Sequence, residues 1–308
     1  MPSQPAIAGV LPEENLIHLR GNDIAGFLQG QLTCDLQPLS PRHSVGGALC
    51  NPKGRVLTDL QVLEAGDGHC LLRLRRELAD GIAERLRLYA RFSRIEVEVD
   101  DGGLCVAAAC GDAREELLAA LGLPTPTAPG EVTAAGGALC RRAASGSCEL
   151  ILPAALAREQ APLRRPQAAS TAWSREQLAA GLYRIEAADS GQYTPQALNY
   201  DLAGLVSFTK GCYTGQEVVA RLHYRGQSKR RLALLEAAPG AAVPAPGTAL
   251  HYDAGAAAGT LLRALTTPGG GWLCAAMLPG DAVAGSELHP ADGACTLRIL
   301  PLPYADAR

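Results

Sequence analysis

Lys210-Gly211-Cys212-Tyr213-Thr214-Gly215-Gln216-Glu217 is followed by Val218, Val219 and Leu222 and then by a basic run that ends at Arg231. Two glycines flank a cysteine, and Thr214 stands three residues before Glu217, the form of a capping box. The apolar spacing behind it predicts a helix from Thr214 to about Tyr224. Cys212 then lies just upstream of a helix N-terminus, with Lys210 beside it. The partial positive charge of that terminus and the ammonium favour a thiolate. The chain has ten cysteines, most of which are expected to be small buried hydrophobes; the surroundings of Cys212 single it out as the reactive candidate.

The string KGCYTGQEVVAR at Lys210–Arg221 resembles the signature of the YgfZ family of folate-binding proteins, relatives of the glycine-cleavage aminomethyltransferase. Tyr193 to Asp201 resembles that family's approach to the loop, and Gly226 to Arg231 its exit. Gly21-Asn22-Asp23 with Phe27 to Asp35 resembles its opening. The likeness spans about residues 15–232. It implies an α+β fold of two ferredoxin-like units that bind folate, followed by a small C-terminal β-barrel. The change to short apolar runs between Gly and Pro turns beyond Leu232 places a boundary near residue 233, giving domains 1–232 (units of roughly 1–100 and 101–232) and 233–308.

The resemblance also assigns roles. Asp59 matches the second of two aspartates that contact folate in the aminomethyltransferases, and Thr58 replaces the first. Arg184 and Glu186, in Tyr183-Arg184-Ile185-Glu186-Ala187, match an R-x-E segment whose glutamate holds the pteridine amino edge. A carboxylate suits that edge because it accepts two parallel N–H bonds. Lys210 and Tyr213 are placed at the cavity or its rim, and Cys212, with Asp59, is the catalytic candidate. The implied cofactor is tetrahydrofolate or a one-carbon derivative. The implied function is an accessory one, supporting iron–sulfur cluster assembly or repair in client proteins, with an indirect effect on tRNA modification. The alternative is a folate-dependent aminomethyl or one-carbon transferase; Asp59 favours it, while Thr58 and the KGCYTGQE loop oppose it.

Composition bounds these readings. The chain has 308 residues, 47% hydrophobic and 19% charged, enough for a substantial core and two or three domains. A net charge of -3 argues against a surface that coats nucleic acid generally, but not against a local basic patch. The N-terminal MPSQPAIAGVLPEEN has no basic region followed by an apolar run, and no long apolar span occurs later. Cysteines without an export signal point to reduced thiols in the cytoplasm and no membrane partner. There is no Cys-x-x-Cys, so no metal site is expected.

The rest of the chain reads in order. Leu16–Arg20 is a strand, and Asn22 or Asp23 caps a helix carrying Ile24, Phe27 and Leu28, with Gln29 and Gln31 on its solvated side. Ser44–Cys50 and Arg55–Leu63 are strands joined by the turn Asn51-Pro52-Lys53-Gly54. Alternation puts Asp59 opposite Val56, Leu60 and Val62, which by pattern alone makes it an exposed acid. Strands at 69–75 and 93–99 flank a helix at 77–89, and further strands fall at 104–110, 138–142 and 148–152. Ser174 with Gln177 predicts another helix start. Arg221, Arg225, Lys229, Arg230 and Arg231, interleaved with His223 and Tyr224, form a basic patch that suits phosphate, RNA or a polyglutamate tail. His223 is also a possible base for Cys212. Beyond Leu232, short apolar runs between Gly and Pro turns predict the barrel.

Overall fold

The strand that carries Asp59 alternates as the sequence says, but from Thr58 to Leu63 both of its faces are buried. Leu60 and Val62 pack under helices, while Leu63 packs against a second sheet. The computed structural model describes residues 6–226, 228–253 and 255–304. The first five residues of the stretch read for a leader, and Gln227 of the basic run, lie outside them.

The N-terminal strand β1 (Ile7–Val10) is followed by β2 (Glu14–Arg20), α1 (Ile24–Gln29), β3 (Val45–Cys50), β4 (Val56–Gly66), β5 (His69–Arg75), α2 (Arg76–Ala90) and β6 (Glu96–Val99). Asp23 caps α1, its Oδ1 accepting from Gly26 N at 2.9 Å. Strands β2 to β6 form an antiparallel sheet in the order β3-β4-β5-β2-β6. Without the edge strand β3 this is the ferredoxin-like βαββαβ order. The apolar stripe Ala79, Ile82, Ala83 and Leu86 of α2 covers one face of the sheet.

The second unit adds β7 (Leu104–Cys110), α3 (Ala113–Ala120), β8 (Val132–Ala135), β9 (Ala138–Arg142), β10 (Cys148–Pro153), α4 (Ala154–Glu159) and α5 (Pro166–Ala179). Its sheet runs β1-β7-β10-β9-β8. The fourth ferredoxin-like strand is therefore supplied by the N-terminus. A unit drawn as 1–100 loses its first strand to its neighbour, because β1 pairs with β7 from Ile7↔Cys110 to Val10↔Ala107. The helix expected to start at Ser174 starts instead at Pro166, whose fixed φ and missing N–H suit a first turn. Ser174 is in mid-helix.

The two sheets meet face to face over Leu16, Leu63, Leu71, Val106, Ile151 and Trp173. Residues 180–215 then wind along the first unit with little regular structure, pinned by Val56 N donating to Tyr193 O (2.8 Å) and Ser207 N to Thr33 O (2.9 Å). Helix α6 (Gln216–Arg225) follows. The closed barrel comprises β11 (Arg230–Ala237), β12 (Ala249–His251), β13 (Ala257–Thr266), β14 (Trp272–Pro279), β15 (Glu287–Pro290) and β16 (Leu297–Leu300). Strands β1, β8 and β15, at four residues each, are not among those the sequence reveals, because none continues an alternating apolar run as the equally short β6 does.

Candidate functional site

The central motif does not form its capping box. Gly215 holds φ 84, outside helical space, so α6 begins only at Gln216, and no side chain caps it. The conformation serves a close approach. A Cβ on Gly215 would fall 2.4 Å from Asn51 O, and one on Gly54 2.9 Å from Val218 Cβ. The Asn51–Gly54 turn is thus locked onto the start of α6, and both glycines are required where the two backbones touch.

Lys210 and Cys212 turn opposite ways. Lys210 is buried, and its Nζ donates to Gln29 O (2.5 Å) and Leu32 O (2.7 Å), the open carbonyls at the C-terminal end of α1. It also lies 5.1 Å from the Tyr213 ring centroid. Burial lowers its pKa, partly offset by Cys34 and Asp35. Lys210 is therefore a staple between the motif and the Phe27–Asp35 segment. Gln29, expected on a solvated face, bridges Asp35 Oδ1 and Leu36 N at 2.9 Å each. Tyr213 is buried, with its hydroxyl lacking a partner among the described residues. Cys212 is exposed, whereas Cys34 and Cys50 are buried, with thiols that burial pushes up to about 12.

Glu186 lies elsewhere, in a cleft of about 680 Å³ where the β5–α2 junction, α5 and β13 converge. Arg75, Arg76, Ser170, Ser174 and Arg263 line it as well. Arg263 pairs with the Glu186 carboxylate, Arg75 Nη2 stands 3.7 Å from it, and the side chain remains 40% exposed. Cys212, Lys210, Tyr213, Asp59 and Arg184 do not line this cleft.

Asp59 and Arg184 lie behind it in a buried charge network that the sequence reading missed. Asp59 accepts from Arg184 Nε and from Ile185 N (2.8 Å), so both carboxylate oxygens are engaged. Arg184 Nη2 and Arg75 Nη1 donate to Glu14 at 3.1 and 3.0 Å. Arg141 Nη1 donates to Glu149 at 3.2 Å. Arg73 Nε lies 2.9 Å from Glu149 with its N–H off the line, a charge contact rather than an aligned hydrogen bond. Asp59 is buried rather than exposed because its face of β4 looks toward the second unit. One signal was available: Arg73 and Arg75 interrupt the leucines of one strand on the same face, as Glu14 and Glu149 interrupt theirs.

Burial alone would raise the Glu14 pKa, but Arg184, Arg73 and Arg75 outweigh it and hold the carboxyl at about 2, below the usual 4.5. A carboxyl depressed in the folded state contributes stability that is complete above pH 4.5 and lost as pH falls through 2. The denaturant midpoint should therefore fall between pH 5 and 3, and fall less steeply in Glu14→Gln. Parallel slopes would remove Glu14 from the acid response.

The basic run divides. Arg221, Arg225, Lys229 and Arg230 are exposed. Arg231 is not part of that face; it is committed to Asp201 (2.9 and 3.0 Å), Asn199 Oδ1 and Gln196 O. The His223 ring stacks on Phe208 with centroids 3.6 Å apart, and among the described residues no hydrogen bond joins it to Cys212.

No family model matches the chain. It is 34% identical over 299 residues to the tRNA-modifying protein YgfZ of Yersinia pestis (strain Pestoides F), covering 94% of this chain and 90% of that one. It is 33% identical over 318 residues to the protein of the same name from Enterobacter sp. (strain 638), covering 99% and 97%. Among solved structures it superposes on the glycine cleavage system aminomethyltransferase T of Bartonella henselae with a TM-score of 0.76, covering 98% of this chain and 87% of that one, at 18% identity. That likeness is one of fold.

Proposed function

Because this chain belongs to the YgfZ family, we propose that it is a tetrahydrofolate-binding accessory protein supporting iron–sulfur cluster assembly or repair in client enzymes, with an indirect effect on tRNA modification. The observation that carries the proposal is the half-open Glu186 carboxylate in the cleft at the junction of both α+β units and the barrel. The cleft's volume of about 680 Å³ suits a small-molecule ligand. Its residues fit folate's chemistry: Glu186 accepts the paired N–H groups of a 2-amino pyrimidinone edge, and Arg75, Arg76 and Arg263 offer donors to carboxylates. When bound, tetrahydrofolate supplies a carrier for one-carbon units. Arg184 and Asp59 act behind the cleft, bracing Glu186 through Ile185 N. Cys212, exposed on its own loop, is the thiol through which a client would be met.

The second reading, folate-dependent aminomethyl transfer, needs a carboxylate free to act at the reacting centre. Asp59 has both oxygens engaged and stands outside the cleft, which favours the accessory reading. Formation of methylene-tetrahydrofolate from an aminomethylated carrier protein would reverse that preference. Ten free cysteines suit a reducing cytoplasm. Among the described residues no helix is long and apolar enough to cross a membrane.

Calorimetric titration of the reduced protein with tetrahydrofolate tests the proposal. Saturable binding is expected, weakened about 100-fold in Glu186→Ala, the loss of two charge-assisted bonds at about 1.5 kcal/mol each. Affinity in the variant within about threefold of the wild type would move the pterin site away from Glu186.

A further inference from the structure

A second groove, of about 600 Å³, shares no residue with the Glu186 cleft. It lies between the end of α6, the start of β11 and the turn after β14, and His223, Lys229, Gln196 and Asp281 line it. Three observations describe what it is built to hold. The first is aromatic: His223 stacks on Phe208 at 3.6 Å and 11°, the His223 ring is exposed, and Tyr224, 67% exposed, meets both rings edge-on. This is a stack that ends in an open ring at the groove wall.

The second is charge. Lys229 lines the groove and is exposed, and Arg225 and Arg230, exposed as well, are the chain neighbours of its lining residues Gly226 and Arg231. Of the two carboxylates lining the groove, Asp201 is taken by Arg231, and Asp281, in the turn after β14, is exposed. The third is an orphan acceptor. Gln196 is 98% buried (2% exposed), and its Nε2 donates to Val219 O at 2.7 Å, which fixes the amide's orientation. Its Oε1 is then left with no donor among the described residues. A buried unpaired acceptor is costly and calls for an O–H or N–H from a ligand.

We infer that this groove binds an unpaired nucleotide of single-stranded RNA. The base stacks on the open face of the Phe208–His223 pair, flanking phosphates pair with Arg225, Lys229 and Arg230, and a ribose 2′-hydroxyl or base N–H serves Gln196 Oε1. Aromatic platforms beside cations are the common means of gripping a single strand, and the 2′-hydroxyl is a donor on every RNA nucleotide whatever its base. A duplex is excluded because its bases are already stacked. The net charge of -3 fits a local contact rather than a coating surface.

Fluorescence anisotropy with a labelled, unstructured RNA of roughly 12 nucleotides at about 50 mM salt tests the inference. Saturable binding is expected. His223→Ala should weaken it about 5- to 150-fold, the range for one stacked base. The double variant Arg225→Glu/Lys229→Glu should flatten the slope of log affinity against log salt by about 1.4, two phosphate contacts on a single strand. DNA of the same sequence should bind about fivefold more weakly, the loss of one hydrogen bond of about 1 kcal/mol. All three altered residues are exposed, and thermal melts should match the wild type. The inference is overturned by absence of saturable binding, by His223→Ala binding as the wild type does, by equal affinity for DNA, or by a polyglutamate peptide displacing the RNA as well as unlabelled RNA does. Since tetrahydrofolate binds in the other cleft, failure here leaves the folate titration unaffected, and the reverse.

Discussion

Glu14→Gln should destabilise the protein by about 3–5 kcal/mol, the usual cost of removing one partner from a buried ionic cluster. The reason is the balance of the cluster. Arg73, Arg75, Arg141 and Arg184 are all buried, against the buried carboxylates Glu14, Glu149 and Asp59. Glu14 contacts three of those arginines: Arg184 at 3.1 Å, Arg75 at 3.0 Å and Arg73 at 3.5 Å. Glutamine keeps the shape and an acceptor oxygen but leaves their charges facing one another in a buried layer between two sheets. The effect should extend to the cleft, because Arg75 also faces Glu186. Freed from Glu14, it would compete for the carboxylate that we assign to the pterin, so folate affinity should fall as well. Urea denaturation measures the first effect and calorimetry the second. A loss below about 1 kcal/mol would mean that water or a shift of the sheets already compensates these charges.

Lys210→Met and Cys212→Ala, two residues apart in one motif, should behave oppositely. Lys210 carries a buried ammonium on two backbone carbonyls of the α1 end. Each charge-assisted bond contributes about 1.5–3 kcal/mol, and methionine leaves both acceptors without their donor. Because methionine also removes the ammonium's burial cost, we expect Lys210→Met to cost about 2–4 kcal/mol, less than the two bonds together, and to loosen the Phe27–Asp35 segment, seen as faster amide exchange there. Cys212 is exposed, so Cys212→Ala should change stability by less than about 0.5 kcal/mol. It should bind tetrahydrofolate as the wild type does, yet fail to restore iron–sulfur enzyme activity in cells lacking the protein. Full activity of Cys212→Ala would remove the thiol from the proposed function. An unchanged stability of Lys210→Met would remove the staple.

These contrasts show where the sequence could be read and where it could not. The motif was recognisable as a unit, but its internal division of labour was not. Thr214 and Glu217 have the spacing of a capping box, and no local rule reveals that Gly215 is drawn to φ 84 by a turn more than a hundred residues earlier. Likewise, Lys210 beside a cysteine suggests thiolate stabilisation. Only the chain's return past α1 shows that carbonyls at Gln29 and Leu32 claim the ammonium. Alternation puts Asp59 on the face opposite Leu60 and Val62, where the structure has it, but alternation does not say what covers that face.

By itself the sequence determined the elements whose signals are local. Asp23 caps the first helix, and the turn at Asn51–Gly54 joins two strands. The stripe on α2 gives a helix, and the short apolar runs beyond Leu232 give a barrel. Family membership also followed from contiguous strings. The tertiary structure alone decided that β1 completes the second sheet, that Arg184 and Asp59 are buried partners, and that Glu186 and not Cys212 faces the large cleft. It alone placed Gln196 and His223 in one groove. The physical reason is the same in each case. Periodicity and capping depend on residues a few positions apart, whereas the partner of a buried charge is chosen by whichever distant strand covers it, and that choice is made only when the layers pack.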